Sequence, residues 1–550
     1  MVSSQFIPPL LASRSDRRRM TSAVRTKFPS VAPALSNRIF LVLACLTAVL
    51  CLLLSWSAGR PPREWQAGEV PVAFWSWQSN APSKASLERA IDQAGARVLF
   101  MRAGQIDYDS GTVRRIRPVT GALPKGIELY LVYNATSDLL THFENIDPEV
   151  LASAICITYA ADLTRTSAEG AHSSGVQLDL DVPTRLLPRY KQVLSVMRRR
   201  LPGGTTLSIT GLPTWMTSPA LAGTLDEVDF WIPQCYGGVI PARLDHAEPI
   251  SSQGEVVSAI ERARRLGKPF YAGLAAYGYA IHFDRAGRRV EVSGSLDPEI
   301  VANEPSLGRV ECSRFDSDLL GDWRYVYLAR ETCKAGELLI RKGERLMLDL
   351  PTSEALREAA SSVRKRGGER LLGICVFRLP TAGDATTLTV EEIAAALSNQ
   401  APAAAIEIRA STRREEGNPD RPIVEIKWAN TGAIRGLAVE DAVRVIVNLE
   451  GAPLRSLASN GFASSELLFV PSGASGDDPR QTPVACGVAR ANVVRLSKRA
   501  WSPGMSASVI LKLEAPPPDT IPVTVTVRLD QTHTLKETRL VTIERIPDSE

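Results

Sequence analysis

Histidine is scarce: five residues in 550, and they are scattered. No CxxC pair accompanies them, so no metal-ligand spacing is present and neither metal nor cofactor is expected. No glycine-rich loop follows the first strand-like run, which argues against nucleotide binding. The net charge is only +4. Much of that excess sits at the N-terminus, too small and too local for a nucleic-acid surface. Eight cysteines do not make a disulfide framework in a chain this long. Cys45 and Cys51 fall in an apolar run, and Cys156, Cys235 and Cys375 sit in apolar settings that suit buried thiols. Cys312 and Cys333 share one polar insertion, where an exported location would allow a disulfide. What remains is an ordinary globular balance, 44% hydrophobic and 23% charged, with length for more than one domain.

The run from Ile39 to Ala58 carries no charge. A helix of about 20 residues crosses a bilayer. Residues 1–38 form a basic tail, with Arg14, Arg17, Arg18, Arg19, Arg25, Lys27 and Arg38. Such a flank stays in the cytoplasm and sends the chain beyond the apolar run across the membrane. Residues 39–58 therefore read as a transmembrane anchor, with Trp56 at the interface. The main domains then lie in the periplasm or outside, held to the inner membrane. The alternative is a signal cleaved near Ser55 or Ser57, followed by secretion.

Over residues 66–400 strand-like and helix-like runs alternate. The strands fall at residues 70–77, 97–104, 127–134, 175–181, 206–212, 228–236, 269–276 and 371–379. Helices are expected at 83–94, 148–166, 184–201, 218–227, 254–267, 353–366 and 390–398. The segment after the second strand reads as a weak helix at best. Residues 280–350 interrupt the rhythm with extra hairpins. This is the count of a (β/α)8 TIM-like barrel with an insertion between strands seven and eight. An open doubly wound sheet is the alternative. A linker at Ala401–Ala405 leads to residues with period-two runs such as Val443–Val447 and Val523–Val527. Residues 401–550 therefore read as an all-β sandwich, immunoglobulin-like in architecture.

One stretch organises the barrel: Gly175-Val176-Gln177-Leu178-Asp179-Leu180-Asp181. Gln177, Asp179 and Asp181 share one strand face, and the aliphatics take the other. Helices flank this strand, so both faces are covered. Carboxylates there are costly unless paired or used. The reading is a site at the strand's carboxyl end, with a salt-bridged structural pair as the alternative. Barrel enzymes work where strands end and βα loops begin. The strands deliver Trp75 and Trp77, Arg102, Tyr133 and Asn134, Asp179 and Asp181, Thr210 and Trp215, Gln234 and Tyr236, Tyr277, and Arg378. Aromatic faces pack on sugar rings, while amides and carboxylates bond hydroxyls. The expected partner is a carbohydrate.

Ser174 to Asp181 resembles the fourth-strand signature of family-18 (chitinase-like) glycoside hydrolases, Asp-x-x-Asp-x-Asp-x-Glu. In register, Gln177 and Asp179 match the second and third acids, Asp181 stands at the acid/base Glu, and Ser174 replaces the first Asp. Pro233 to Gly237 is similar to that family's sixth-strand Met-x-Tyr-Asp, with Tyr236 kept and the Asp replaced by Gly237. The substrate-assisted mechanism of that family uses groups lost here, so the resemblance does not imply chitinase activity. Gly175 through Tyr236 also resembles a bacterial domain-of-unknown-function family, number 3142. The shared pieces are Gln-x-Asp-x-Asp, Tyr190, the Arg200-Leu201-Pro202 helix end, and Leu207 to Trp215. That resemblance implies an exported barrel and names no substrate.

The resulting expectation is a glycoside hydrolase acting on a cell-envelope or extracellular glycan. Asp181 is its general acid, and Asp179 orients it and holds negative charge. Gln177, Gln234 and Tyr236 position the sugar. Trp75, Trp77, Trp215, Tyr133, Asn134, Arg102 and Arg378 complete the cleft. Asp107 or Asp109 could supply a second carboxylate. The alternatives are a glycan-binding barrel without catalysis and an envelope scaffold whose cleft is filled by the insertion.

Overall fold

The computed structural model describes residues 64–237, 240–246, 250–314, 323–381, 384–400, 405–415, 418–432, 442–471, 484–528 and 534–545. The basic tail, the 39–58 run and most of the 401–405 linker lie outside them. Among the described residues no helix is long and apolar enough to cross a membrane.

Eight parallel strands close into a barrel. They are β1 (Val72–Ser76), β2 (Ala96–Asp109), β3 (Glu128–Ala135), β4 (Ser173–Asp179), β5 (Thr206–Gly211), β6 (Phe230–Pro233), β7 (Phe270–Ala275) and β8 (Leu371–Phe377). Each pairs with the next, and β1 pairs with β8 in the register Val72↔Ile374 to Trp75↔Phe377. That last ladder excludes the open sheet.

Local chemistry sets the helix ends. Helix α1 (Lys84–Ala94) starts where Ser83 accepts the Ser86 N–H, and stops at Gly95 with φ +66°. Helix α2 (Pro148–Ala168) has Asp147 as its cap and proline in its first turn. Helix α3 (Leu187–Arg200) ends in three arginines, which complement its dipole.

The barrel interior alternates with its outer face. Ala73, Trp75, Val98, Phe100, Tyr130, Val132, Phe230, Ile232 and Cys375 fill the inside. Outward residues such as Leu99, Leu131, Val176 and Leu178 pack under the helices. This parity decides which side chains reach the cleft.

The segment after the barrel part of β2 is not helical. β2 runs on to Asp109 and folds back as a hairpin with Thr112–Ile116. Ser110 and Gly111 both take positive φ, +49° and +89°, as a tight hairpin turn requires.

The insertion is a five-stranded antiparallel sheet, ordered Arg289–Ser293, Tyr279–Phe283, Arg345–Leu350, Trp323–Ala329, Leu307–Arg314. It carries a small hairpin, Cys333–Ala335 with Leu338–Ile340. The Cys312–Cys333 bridge is not formed: Cys333 is a free thiol. In the ladder Cys312 stands opposite Tyr325, whereas Cys333 is drawn into the separate small hairpin, opposite Ile340.

Beyond residue 405 the described residues are β apart from one 3-10 turn at Val488–Arg490. Ten strands among them form two leaves joined through Thr534–Arg545, with one core between them. The first, second and fourth strands share a leaf, as in immunoglobulin domains. The eighth strand, Ser506–Leu513, takes the place that the fifth holds there. The sandwich packs on the insertion, where Lys498 Nζ lies 2.8 Å from Glu299. Ala442 and Ala500 join the insertion's core.

Candidate functional site

Above the interior layer of the barrel lies a layer of polar and aromatic groups at the strands' carboxyl ends. β4 supplies Asp179, and Asp181 follows it. Asp179 is 5% exposed and accepts a 2.6 Å hydrogen bond from Thr210 Oγ1 on β5. Asp181 is open to solvent. Its backbone holds φ +49°, a left-handed conformation that aspartate and asparagine tolerate best among residues with a side chain. Its carboxylate makes no ion pair or hydrogen bond among the described residues. The salt-bridged pair is therefore not what the chain builds here.

Burial, and then the charge of Asp181, raises the Asp179 carboxyl well above its usual range, against a smaller lowering by Thr210. Asp181 is pushed up to about 6 by desolvation. It touches solvent, yet it stands in a crowded concavity that strips much of its hydration. Asp179 thus favours its neutral form, the opposite of the charge-holding role expected from the sequence. The Tyr190 hydroxyl on α3 is buried without a partner among the described residues and lies near enough to feel both carboxylates.

These shifts fix a pH dependence of stability. A carboxyl whose pKa is raised on folding stabilises the fold below its unfolded value, about 3.9. That contribution is lost as pH rises through the folded value. Stability from this pair should therefore fall between about pH 4 and 6, and further where Asp179 ionises. Asp179→Asn should flatten the loss. Melting temperatures of wild type and variant at pH 5 and pH 8 check this: wild type should drop more between the two. An equal drop would contradict it.

Around the acids runs an aromatic arc. Phe377 of β8 is its centre, with ring centroids 5.2 Å from Trp75, 6.2 Å from Trp77, 6.0 Å from Tyr236 and 4.9 Å from Tyr277. Trp75 is only 5% exposed and forms floor, while Trp77 is half-buried and faces the opening. The insertion sheet packs against one side of this arc through Tyr279, Ile281, Phe283, Val326 and Met347. It walls the cleft beside Tyr236 and Tyr277. Asp181 keeps its solvent exposure, so the cleft is not plugged.

The other expected residues divide. Asn134 and Arg102 stand in the polar layer, with Arg102 Nε 3.3 Å from Asn134 Oδ1. Gln234 is half-buried at the end of β6, and its amide has no partner among the described residues. Gln177 is fully buried one layer below Asp179, its Nε2 3.4 Å from Ser208 Oγ, so it supports the acid and cannot touch a sugar.

Three expectations are corrected. Tyr133 has outward parity and bonds Asp162 of α2 at 2.7 Å. Trp215 is 1% exposed, meets Tyr190 edge to face and donates to Val182 O at 2.8 Å, so it offers no platform. Arg378 turns away from the interior and is ion-paired with Asp384 at 2.6 Å. Asp107 and Asp109 lie on the hairpin extension of β2, paired with Arg114. Asp107 is five residues past Arg102, roughly 16 Å along the strand. Neither is a second carboxylate for this cleft. Phe377 was the omission: it lies two residues from Cys375, and interior parity marks it out.

Residues 146–315 match a family described as a domain of unknown function, DUF3142. This bears out the resemblance read from Gly175 to Tyr236 and extends it on both sides. No curated protein matches the chain. Among solved structures, the Bacillus cereus spore cortex-lytic enzyme SleL is 14% identical, with 60% of this chain and 74% of that chain covered and a TM-score of 0.40. A chitinase from Chromobacterium violaceum is 16% identical, with 60% and 98% covered and a TM-score of 0.41. The GH18 chitinase ChiB of Flavobacterium johnsoniae is 13% identical, with 60% and 94% covered and a TM-score of 0.33.

Proposed function

We propose that this protein is an exported, membrane-anchored glycoside hydrolase that acts on a cell-envelope or extracellular glycan. The observation that carries the reading is the solvent-open, unpaired Asp181 beside a buried Asp179, set in an arc of aromatic rings. Asp181 gives its proton to the glycosidic oxygen as the C–O bond breaks. Water supplies the hydroxyl to the anomeric carbon, and its remaining proton returns to Asp181. A group titrating near 6 suits that exchange in mildly acidic solution. Asp179, held by Thr210, stands neutral beside Asp181, whose own raised pKa comes from desolvation. Trp77 supplies a flat face for a sugar ring, with Asn134 and Gln234 as bonds to its hydroxyls. Residues 39–58 anchor the chain, and the sandwich and barrel face outward.

A second reading has its own support. No other carboxylate among the described residues reaches the pair, and aspartate is a methylene shorter than the family-18 glutamate. A barrel of this kind could bind a glycan without cutting it. Equilibrium binding of neutral and acidic oligosaccharides, followed by tryptophan fluorescence alongside reducing-end release, separates the two. Binding with release supports the hydrolase. Binding without release at any pH from 4 to 8 supports the binding protein. No binding would sink both.

A further inference from the structure

Four arginines stand at this end of β2 and its hairpin. Arg114 is ion-paired with Asp109 at 2.8 Å and lies 3.7 Å from Asp107. Arg115 is ion-paired with Asp162. The chain thus supplies carboxylates to Arg114 and Arg115. Arg102 and Arg117 receive none among the described residues. Arg102 is 6% exposed, and its contacts are neutral: Asn134 Oδ1 at 3.3 Å and Ser79 Oγ at 3.2 Å. A guanidinium carries five N–H donors, so most remain free to act. Arg117 is exposed and donates to Gln105 Oε1 at 3.2 Å. The two cations are near enough that Arg117, after burial, lowers the pKa of Arg102.

A buried cation without a counter-ion is costly. Two like charges facing one opening make it costlier. The cost is offset when an anion arrives, and the planar fork of Arg suits a carboxylate. The Trp77 ring lies 5.8 Å from Arg102 Cζ, so the flat face and the cation meet at one place. Asn134 links the place to the acids: it bonds Arg102 and stands in register with Asp179. Two strand spacings separate β2 from β4, roughly 10 Å. That is about one or two sugar rings.

We propose that Arg102, Arg117 and Trp77 form a subsite for a carboxylate-bearing sugar, beside the Asp179–Asp181 pair, so that the glycan recognised here is acidic. This rests on the carbohydrate reading above and narrows it. The sugar's face lies on Trp77, and its carboxylate takes the free donors of Arg102, with Arg117 closing over it from the hairpin.

The test uses the full chain and matched probes: uronic-acid oligosaccharides, the same oligosaccharides with carboxyls reduced to alcohols, sulfate-ester oligosaccharides, and neutral oligosaccharides. Wild type should bind an acidic oligosaccharide about 10- to 100-fold more tightly than its reduced form, the range for hydrogen bonds to a charged group. In Arg102→Gln the ratio should fall towards one. In Arg117→Gln, an exposed change that leaves the barrel interior untouched, the ratio should fall by less. Equal affinity for acidic and reduced forms, or a preference unchanged in both variants, would overturn the subsite and leave the hydrolase reading standing. A preference for the sulfate esters alone would overturn the carboxylate assignment. Binding of none of the probes would overturn the subsite together with the reading it rests on.

Discussion

Asp181→Asn should lower kcat by roughly 10²- to 10⁴-fold, the usual contribution of a positioned general acid. The Kd for the glycan should change little. The amide matches the carboxyl in size and cannot supply the proton. Structural side effects are small for two reasons. Asp181 is solvent-open and makes no hydrogen bond among the described residues. Its φ of +49° is one that asparagine also tolerates. An unchanged melting temperature beside lost cleavage is the expected pair of results. Retained cleavage would remove Asp181 from the role, and lost binding would make it a ligand contact.

Gly175→Ala should be the most damaging small change in the barrel. A methyl there would lie 2.2 Å from the Thr206 carbonyl oxygen on β5, far inside contact distance. That atom is backbone, so β4 and β5 must separate. The cost should approach 3 kcal/mol, the upper range for overpacking. The damage reaches the site because β5 carries Ser208 and Thr210, which hold Gln177 and Asp179. Gly203→Ala is the control: a methyl there meets nothing within 4 Å. It should stay within about 0.5 kcal/mol. Denaturant unfolding of both variants checks the contrast. Equal stabilities would mean that the β4–β5 spacing is not what fixes the pair.

The barrel was legible because its signals are local. Ser83 and Gly95 punctuate α1, and the arginines and Pro202-Gly203-Gly204 close α3. The Gln177/Asp179/Asp181 alternation locates β4 without any long-range knowledge. Side-chain direction at a strand end was less legible. Tyr133 and Asn134 are neighbours, as are Phe377 and Arg378, and a one-residue choice of parity sends one into the cleft and the other out. The interior run Tyr130, Val132, Asn134 settles that choice for β3, and Cys375, Phe377 for β8. Trp215 shows another limit. On the short 3-10 turn Pro213–Thr217 no strand or α-helix period applies, and its burial depends on the Val182 carbonyl that takes its N–H. Ser110-Gly111 did carry a turn signal, and the alternation of Ile106, Tyr108 and Val113 around it is that of a hairpin. The Asp162 contacts to Arg115 and Tyr133 join three elements distant in sequence, and no local pattern marks them.

The central claim is that the barrel's open end works on a glycan through the Asp179–Asp181 pair. The most direct measurement is reducing-end release by the full chain across envelope and exopolysaccharide glycans, from pH 4 to pH 8. The expected result is release from at least one acidic glycan, falling above about pH 6 as Asp181 ionises. Release that is absent throughout, or that rises steadily to pH 8, would contradict it.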